Sequence, residues 1–159
     1  MTPPAAFEDR RTRVVAAPPA ELWEVVAGLG GDRGWPGASL AWSVRGALDR
    51  LAGGSGHPRR RRDPDRLAPG DPVDSWQVEQ VEPGRRLLLR SRMELPGTAR
   101  LELVVEAAPD GGSRLVQRVS FVPDGRRGAA YWRAVAPLCR LVFGRQLAGI
   151  ARAAERRAV

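Results

Sequence analysis

Two side chains of the sequence could move a proton to or from a bound molecule, namely His57 and Tyr131. His57 is the only histidine of the chain, and an unperturbed imidazole titrates nearer neutral pH than other side chains. It is therefore the natural general base if the protein is an enzyme, and Ser-His-Asp chemistry would depend on it alone. It stands between Gly56 and Pro58 in a stretch rich in glycine and proline. A solvated loop histidine is the simpler interpretation.

Ser91 and Gln117 are polar residues at positions where their strands otherwise place apolar side chains. Ser91 follows Leu89 by two positions, and Gln117 precedes Val119 by two positions. A buried polar group must find a hydrogen-bond partner in a neighbouring side chain, a cavity water or a ligand. Two interpretations stay open: either the protein satisfies both groups internally, or both orient a ligand in a cavity.

Five large side chains could line such a cavity, namely Trp35, Trp42, Trp76, Met93 and Tyr131. Small-molecule sites are commonly walled by aromatic and apolar groups with a few polar ones. Packing in the hydrophobic core is the alternative for each of them.

Cysteine and histidine usage excludes several classes of site. The chain has one cysteine, Cys139, and one histidine. An internal disulfide framework and a thiolate metal cluster are therefore excluded, and a histidine-based zinc site is disfavoured. We expect no metal and no cofactor, and we expect Cys139 to act as a small buried hydrophobe.

Positive charge is concentrated in two segments. All 26 basic residues are arginine, against 18 acidic residues, which gives a formal net charge of +8. Residues 44–66 carry a net charge of +4 and residues 126–159 a net charge of +7, so the rest of the chain sums to −3. On the last helix, the arginine-edged surface could contact a partner chain or an anionic surface, although a solvated face is simpler.

The arginine run 59–62 invites a nucleic-acid interpretation. Asp63, Asp65 and Asp71 follow it closely, and carboxylates so near could fix the loop through paired hydrogen bonds to arginine. Because the acids provide partners within the chain, a structural loop is favoured over nucleic-acid binding.

Periodicity and turn residues divide the chain into alternating elements. The predicted order is a strand over 10–17, a helix from Pro18-Pro19 to Gly30-Gly31, a helix over 39–54, a long arginine-rich loop over 53–72, strands over 73–82, 85–95, 98–108 and 113–122, and a helix over 128–157 with a kink at Pro137. On the second helix, helical spacing places one set of apolar residues on a common face, namely Leu40, Val44, Ala47, Leu48 and Leu51.

Short turns between consecutive strands predict an antiparallel meander. Ala99, Leu101, Leu103 and Val105 alternate with charged residues, so one face of the sheet is covered and the other is wet. The final helix is long enough to cross the sheet. The predicted fold class is therefore α+β, with a curved antiparallel sheet gripping a long C-terminal helix.

This order of elements resembles the helix-grip fold of START-like, polyketide-cyclase-like (SRPBCC) proteins. The segments GGDRGW, RRRRDPDRLAPGD, VDSWQVEQVEPGRRLLLR, MELPGTARLEL, GGSRLVQ and YWRAVAPL together resemble an uncharacterised subgroup that commonly follows a short-chain dehydrogenase/epimerase-type Rossmann domain. The resemblance covers roughly residues 11–155. It implies a cavity between sheet and C-terminal helix that binds a lipid or a polyketide-like compound, and it implies no established activity.

Three functional hypotheses follow. The first is a module that binds a hydrophobic small molecule, with Ser91 and Gln117 orienting the ligand and the 53–72 loop gating access. The second is a cyclase or dehydratase on the same fold, which would use His57, Tyr131 or an inward acid for proton transfer. The third is an interaction protein that uses its arginine-rich surface.

The expected organisation is a single domain over residues 1–159 with a flexible N-terminal segment, residues 1–9. The N-terminus lacks the apolar run of a signal peptide, and the most apolar stretch is interrupted by Arg133, Arg140 and Arg145. We therefore expect a cytoplasmic protein without a membrane span, and a homodimer stays open.

Overall fold

The computed structural model describes residues 7–51, 53, 61–63, 66–93 and 95–159, and these form one sheet and three α-helices. The elements follow in this order: β1 (Phe7–Val15), α1 (Pro19–Ala27), α2 (Ser39–Leu51), β2 (Pro72–Val73), β3 (Trp76–Glu82), β4 (Arg86–Ser91), β5 (Gly97–Ala107), β6 (Ser113–Pro123) and α3 (Gly125–Arg157). A single 3₁₀ turn, Gly31–Arg33, lies between α1 and α2. The predicted α+β class is confirmed.

The six described strands form one antiparallel sheet in the order β1-β6-β5-β4-β3-β2. Strands β3 to β6 form the predicted meander, and β1 adds to the free edge of β6. β1 begins at Phe7, three residues before the predicted start, because it keeps register with β6 from Phe7 opposite Phe121 to Val15 opposite Ser113. Residues 7–9 therefore belong to the sheet and not to a flexible segment.

The two faces of the sheet differ as the alternation predicts. Leu101 and Leu103 of β5 are fully buried on the inner face. On the outer face, Glu102 accepts hydrogen bonds from Arg86 and Arg118 on the neighbouring strands, at 2.7 and 2.8 Å. Cross-strand ion pairs of this kind keep the outer face polar.

Helix α3 packs on the inner face mainly through its C-terminal half, where Phe143, Leu147, Ile150 and Ala154 are buried. It continues through Pro137 as one helix. Its length and composition would suffice to cross a membrane, and a helix that packs inside a protein core passes the same test. In its N-terminal half Leu138 is exposed, whereas Trp132 stacks on Phe121 of β6 with ring centres 5.1 Å apart.

Hydrogen bonds hold the C-terminal part of the arginine-rich segment, which the structure describes, against the residues that follow it. Nε of Arg62 donates to Asp71 at 2.8 Å, and Asp71 also accepts from the backbone N–H of Ala68 at 2.9 Å. The bond from Arg62 holds the pKa of Asp71 below its usual value, against the opposing effect of burial. The expected pairing of arginine with aspartate is therefore present here, whereas His57 lies outside the described residues.

Helix α2 exposes much of the apolar face that its periodicity predicts. Val44, Leu48 and Leu51 are 54, 52 and 85% exposed, whereas Trp42 is 5% exposed. Among the α2 side chains that the structure describes, Trp42 is the buried one. The periodicity identifies an apolar face correctly, but that face borders an open cavity and solvent instead of the packed core.

Candidate functional site

A cavity of about 610 Å³ lies between α2, the N-terminal half of α3 and the inner face of the sheet. Trp76, Val119 and Phe121 contribute the sheet wall, and Met93 and Leu95 lie on the connection between β4 and β5. The volume lies within the range typical of small-molecule sites, about 300–1,000 Å³. The walls are mostly apolar, so burial of an apolar ligand is the interaction that the cavity favours.

Helix α2 and helix α3 form the mouth of this cavity. Val44 and Leu48 of α2 and Leu138 and Leu141 of α3 line the cavity and are each more than half exposed to solvent. Large exposed apolar side chains that cluster around an opening are uncommon on a soluble surface and mark a contact site. The arrangement therefore leaves an apolar entrance between the two helices.

An aromatic cluster centred on Trp42 forms the inner end of the cavity. The ring of Trp42 lies 5.8 Å from Trp35, 5.6 Å from Trp76 and 5.4 Å from Phe143, and it meets the last two edge to face. Edge-to-face contacts are a favoured geometry for aromatic rings. Three predicted site residues, Trp35, Trp42 and Trp76, are thus brought together, and all three are also part of the core.

A buried chain of hydrogen bonds connects this cluster to the sheet. Nε1 of Trp42 donates to Oε1 of Gln146 at 2.9 Å, and Nε2 of Gln146 donates to Oε1 of Gln117 at 3.2 Å. Nε2 of Gln117 in turn donates to the carbonyl oxygen of Phe143 at 2.9 Å. Both glutamines are almost completely buried. Because buried polar groups must be paired, this chain fixes α2, α3 and β6 relative to one another.

The two polar residues predicted to orient a ligand lie apart from the cavity lining. Gln117 is inward-facing, as expected, and its amide is bonded within the protein in the way just described. Ser91 is the last residue of β4, and its Oγ accepts from the backbone N–H of Met93 at 3.2 Å. Neither belongs to the residues that line the cavity. The structure thus gives both groups partners in the chain, and their contact with a ligand stays a prediction.

Trp35 is held in the cavity wall from two sides. Asp74 accepts from Nε1 of Trp35 and from the backbone N–H of Gly31, both at 2.9 Å. Asp74 itself has a φ of 56°, a strained conformation that persists only where the surroundings fix it.

Gly37 has a φ of 77°, and a Cβ there would collide with the carbonyl oxygen of Arg145 on α3. The loop before α2 therefore lies directly on α3.

Tyr131 and Arg45 bring polar groups to the opposite wall. Both line the cavity, and Arg45 donates a hydrogen bond to the hydroxyl oxygen of Tyr131, with its guanidinium 5.5 Å from the ring centre. Tyr131 was predicted as a site residue, whereas Arg45 was not. A phenol beside a permanent positive charge can donate a hydrogen bond or a proton to a ligand oxygen.

Cys139 lines the same wall. Burial raises the pKa of its thiol, an effect that Arg45 opposes and Asp9 reinforces. The thiol is therefore neutral at physiological pH and behaves as a small apolar group, as the sequence suggests.

Gln146 and Asp74 were missed, although both position cavity residues. Gln146 carries a signal in the sequence, since it lies three residues after Phe143 and helical periodicity puts it on the same face. Asp74 carries none, because its partners Gly31 and Trp35 are about forty residues distant in the chain.

Comparison with known proteins identifies the family of this chain. The profile of a family described as protein of unknown function (DUF2867) matches residues 1–146. The chain belongs to this family. No curated protein sequence matches it significantly.

Solved structures share the fold of this family member. It is similar to the Zhui aromatase/cyclase from Streptomyces sp. R1128, with a TM-score of 0.59 and 18% identity over 96% of both chains. It is also similar to a Thermobifida fusca protein, with a TM-score of 0.59 and 19% identity over 94% of this chain and 93% of that one. Protein NE0264 from Nitrosomonas europaea gives a TM-score of 0.58 and 13% identity over 98 and 99% of the two chains.

At these identities the likeness concerns the fold. The expected helix-grip fold of polyketide-cyclase-like proteins is confirmed for this DUF2867 protein. Its association with a short-chain dehydrogenase domain stays a prediction.

Proposed function

We propose that this protein binds a hydrophobic small molecule, a lipid or a polyketide-like compound, in the cavity between the sheet, α2 and α3. The cavity of about 610 Å³ carries this proposal. It is large, mostly apolar in its lining, and open to solvent between two helices that expose leucine and valine at the mouth. A folded chain that leaves this much apolar surface unfilled forgoes packing energy, and a ligand would recover it.

The site supports binding through apolar burial together with a small number of polar contacts. Trp35 and Trp42 have their indole N–H groups bonded to Asp74 and Gln146, so they present flat apolar surfaces whose orientation is fixed in advance. Preorganised walls of this kind lower the cost of ordering the site on binding. Tyr131 and Arg45 provide the polar contacts for an oxygen of the ligand.

Binding of the neutral apolar dye N-phenyl-1-naphthylamine tests the proposal. The dye becomes fluorescent in an apolar site, and we expect saturable binding at one site per chain. Ala41→Trp places a large side chain in the cavity, since Ala41 lines it, and should weaken binding by about tenfold or more. Ala47→Trp, on the same helix but outside the lining, is the matched control and should bind like wild type. Absence of dye binding, or equal binding by both variants, overturns the proposal.

A cyclase activity is the second candidate, and the Arg45–Tyr131 contact within the cavity favours it. The fold is shared with an aromatase/cyclase. A cavity that holds a reactive chain folded, with a phenol positioned to protonate a carbonyl oxygen, would accelerate ring closure. We expect faster cyclisation of a short poly-β-ketone thioester with wild type than with Tyr131→Phe, measured by mass spectrometry of the products. Equal rates would remove Tyr131 from any catalytic role.

A further inference from the structure

A second depression, of about 540 Å³, adjoins the cavity mouth on the side of β1. Four arginines line it, Arg11 from β1 and Arg140, Arg145 and Arg152 from α3. We call it the arginine basin. Its other described lining residues are small or apolar, and no carboxylate is among the described residues that line it.

The positive charge of the basin is largely uncompensated within the part of the chain that the structure describes. Nε of Arg11 bonds to the carboxylate of Asp9 at 3.3 Å. Arg140, Arg145 and Arg152 have no carboxylate partner there. Other arginines of the protein are paired across strands, as in the contacts of Glu102 with Arg86 and Arg118 on the sheet. Three neighbouring arginines without a counter-ion lining a concave surface form a favourable site for an anion.

The shape of the basin depends on a glycine of α3. Gly144 follows Arg140 by one helical turn, and a Cβ at Gly144 would lie 2.7 Å from Nη1 of Arg11. The missing side chain lets the guanidinium of Arg11 lie against the helix, beside the arginines that α3 itself carries. Two elements thus present their guanidinium groups to one depression.

The basin and the apolar cavity share part of their walls. Gly37, Leu141 and Arg145 line both. A chain-like molecule that fills the cavity and emerges between α2 and α3 at Leu141 would place its outer end at Arg145, among the basin arginines. Guanidinium groups bind carboxylate and phosphate through paired, charge-assisted hydrogen bonds, which are stronger than those between neutral groups.

We propose that the ligand is an amphiphile, with an apolar chain in the cavity and a carboxylate or phosphate group in the arginine basin. This inference rests on the proposed function, because it assigns the polar end of the molecule whose apolar part the cavity binds. It also gives a role to part of the charge excess of residues 126–159, which hold three of the four basin arginines.

Competition between bound N-phenyl-1-naphthylamine and each of two compounds, dodecyl phosphate and 1-dodecanol, tests the inference. Dodecyl phosphate is used below its micelle-forming concentration and 1-dodecanol below its solubility limit. The two competitors share a chain and differ in the head group. At low ionic strength we expect dodecyl phosphate to compete about tenfold more strongly than dodecanol, and the ratio should fall as salt is added. Arg140→Gln, Arg145→Gln and Arg152→Gln in one chain remove all three arginines that α3 contributes to the basin and should bring the ratio close to one. Arg126→Gln combined with Arg127→Gln, on the same helix outside the basin, should keep the wild-type ratio.

The outcomes separate this inference from the function on which it rests. Equal competition by both compounds in wild type, or a preference that survives in the basin variant, overturns the inference alone. Failure of the dye to bind overturns the proposed function and the inference together. Inorganic phosphate, compared with sodium chloride at equal ionic strength, distinguishes the source of the anion. If phosphate lowers the preference more than chloride does without displacing the dye, the basin also accepts a free phosphate, which supports the anion site.

Discussion

The indole nitrogen of Trp42 on α2 donates a hydrogen bond of 2.9 Å to the side-chain oxygen of Gln146 on α3, 104 positions further along the chain. Trp42 is the buried side chain among the described residues of α2. This bond therefore fixes the helix that forms one wall of the cavity to the helix that forms the opposite wall. The separation of α2 from α3, and with it the width of the mouth, depends on this pair.

Replacing Gln146 by leucine should therefore destabilise the protein and weaken dye binding. Gln146→Leu removes the acceptor of the Trp42 Nε1 hydrogen bond and the donor to Oε1 of Gln117, at a cost of about 1–3 kcal/mol for each buried hydrogen bond. We expect a loss of about 2–4 kcal/mol in the free energy of unfolding, measured by urea denaturation followed by far-ultraviolet circular dichroism. Gln80→Leu removes an exposed hydrogen bond from Arg86 and should cost less than about 0.5 kcal/mol. Similar losses for the two variants would contradict the importance of the buried chain.

Gly37→Ala should loosen the loop that carries Trp35. The substitution meets two penalties, a positive φ of 77° and a collision with the carbonyl oxygen of Arg145. Gly84 has nearly the same conformation, with a φ of 82°, but nothing lies within 4 Å of a Cβ there. Gly84→Ala should therefore cost only the conformational penalty, about 1–2 kcal/mol, whereas Gly37→Ala should cost about 1–3 kcal/mol more. Urea denaturation measures both, and equal costs would show that the loop does not depend on close contact with α3.

Alkylation of Cys139 should be slow at neutral pH and sensitive to cavity occupancy. Burial raises the pKa of this thiol, so the reactive thiolate is scarce near pH 7 and increases as the pH rises. We expect iodoacetamide to react with Cys139 more slowly than with Ala134→Cys in a Cys139→Ser background, which presents an exposed thiol on the same helix. Saturating N-phenyl-1-naphthylamine should slow the first reaction and leave the second unchanged. Protection of both thiols, or of neither, would argue against a ligand beside Cys139.

Arg62→Gln should change the response of the protein to acid. The pKa of Asp71 is lowered in the folded state, chiefly by its hydrogen bond from Arg62, so the ionised carboxylate stabilises the fold above its unfolded pKa. That contribution is lost as the pH falls through the folded pKa, in the region below about pH 4. The variant should be less stable than wild type at pH 7, and the gap should narrow at pH 3. Arg85→Gln, which removes a weak exposed ion pair with Glu82, should show no such narrowing in urea denaturation at the two pH values.

The order of the four meander strands, β3 to β6, and the covered face of the sheet could be predicted from the sequence because both have local causes. Pro83-Gly84 and the PDGG segment mark turns between strands that alternate with period two. The start of β1 at Phe7 was not predictable in this way, since it is set by pairing with Phe121 more than a hundred residues later. Tertiary pairing extends a strand whose local signal is weak.

The site could be predicted only in part for the same reason. The aromatic residues could be proposed because small-molecule sites are commonly walled by aromatic side chains. Helical periodicity located the apolar face of α2, but it carries no information on whether Val44 and Leu48 meet a packed core or an open space. Only one member of the buried glutamine pair could be predicted. Gln117 interrupts an apolar face of its strand, but its pairing with Gln146 depends on which strand α3 crosses, and the sequence does not show this.

The position of the tryptophans has a practical consequence. Of the five in the chain, Trp35, Trp42, Trp76 and Trp132 line the cavity. Native ultraviolet emission of this protein therefore arises mainly from the walls of the cavity. A ligand that enters should shift that emission by changing the polarity around the rings, and a conjugated ligand should quench it by energy transfer. The unlabelled protein thus carries its own optical readout of cavity occupancy, suited to screening compound libraries for molecules that bind there.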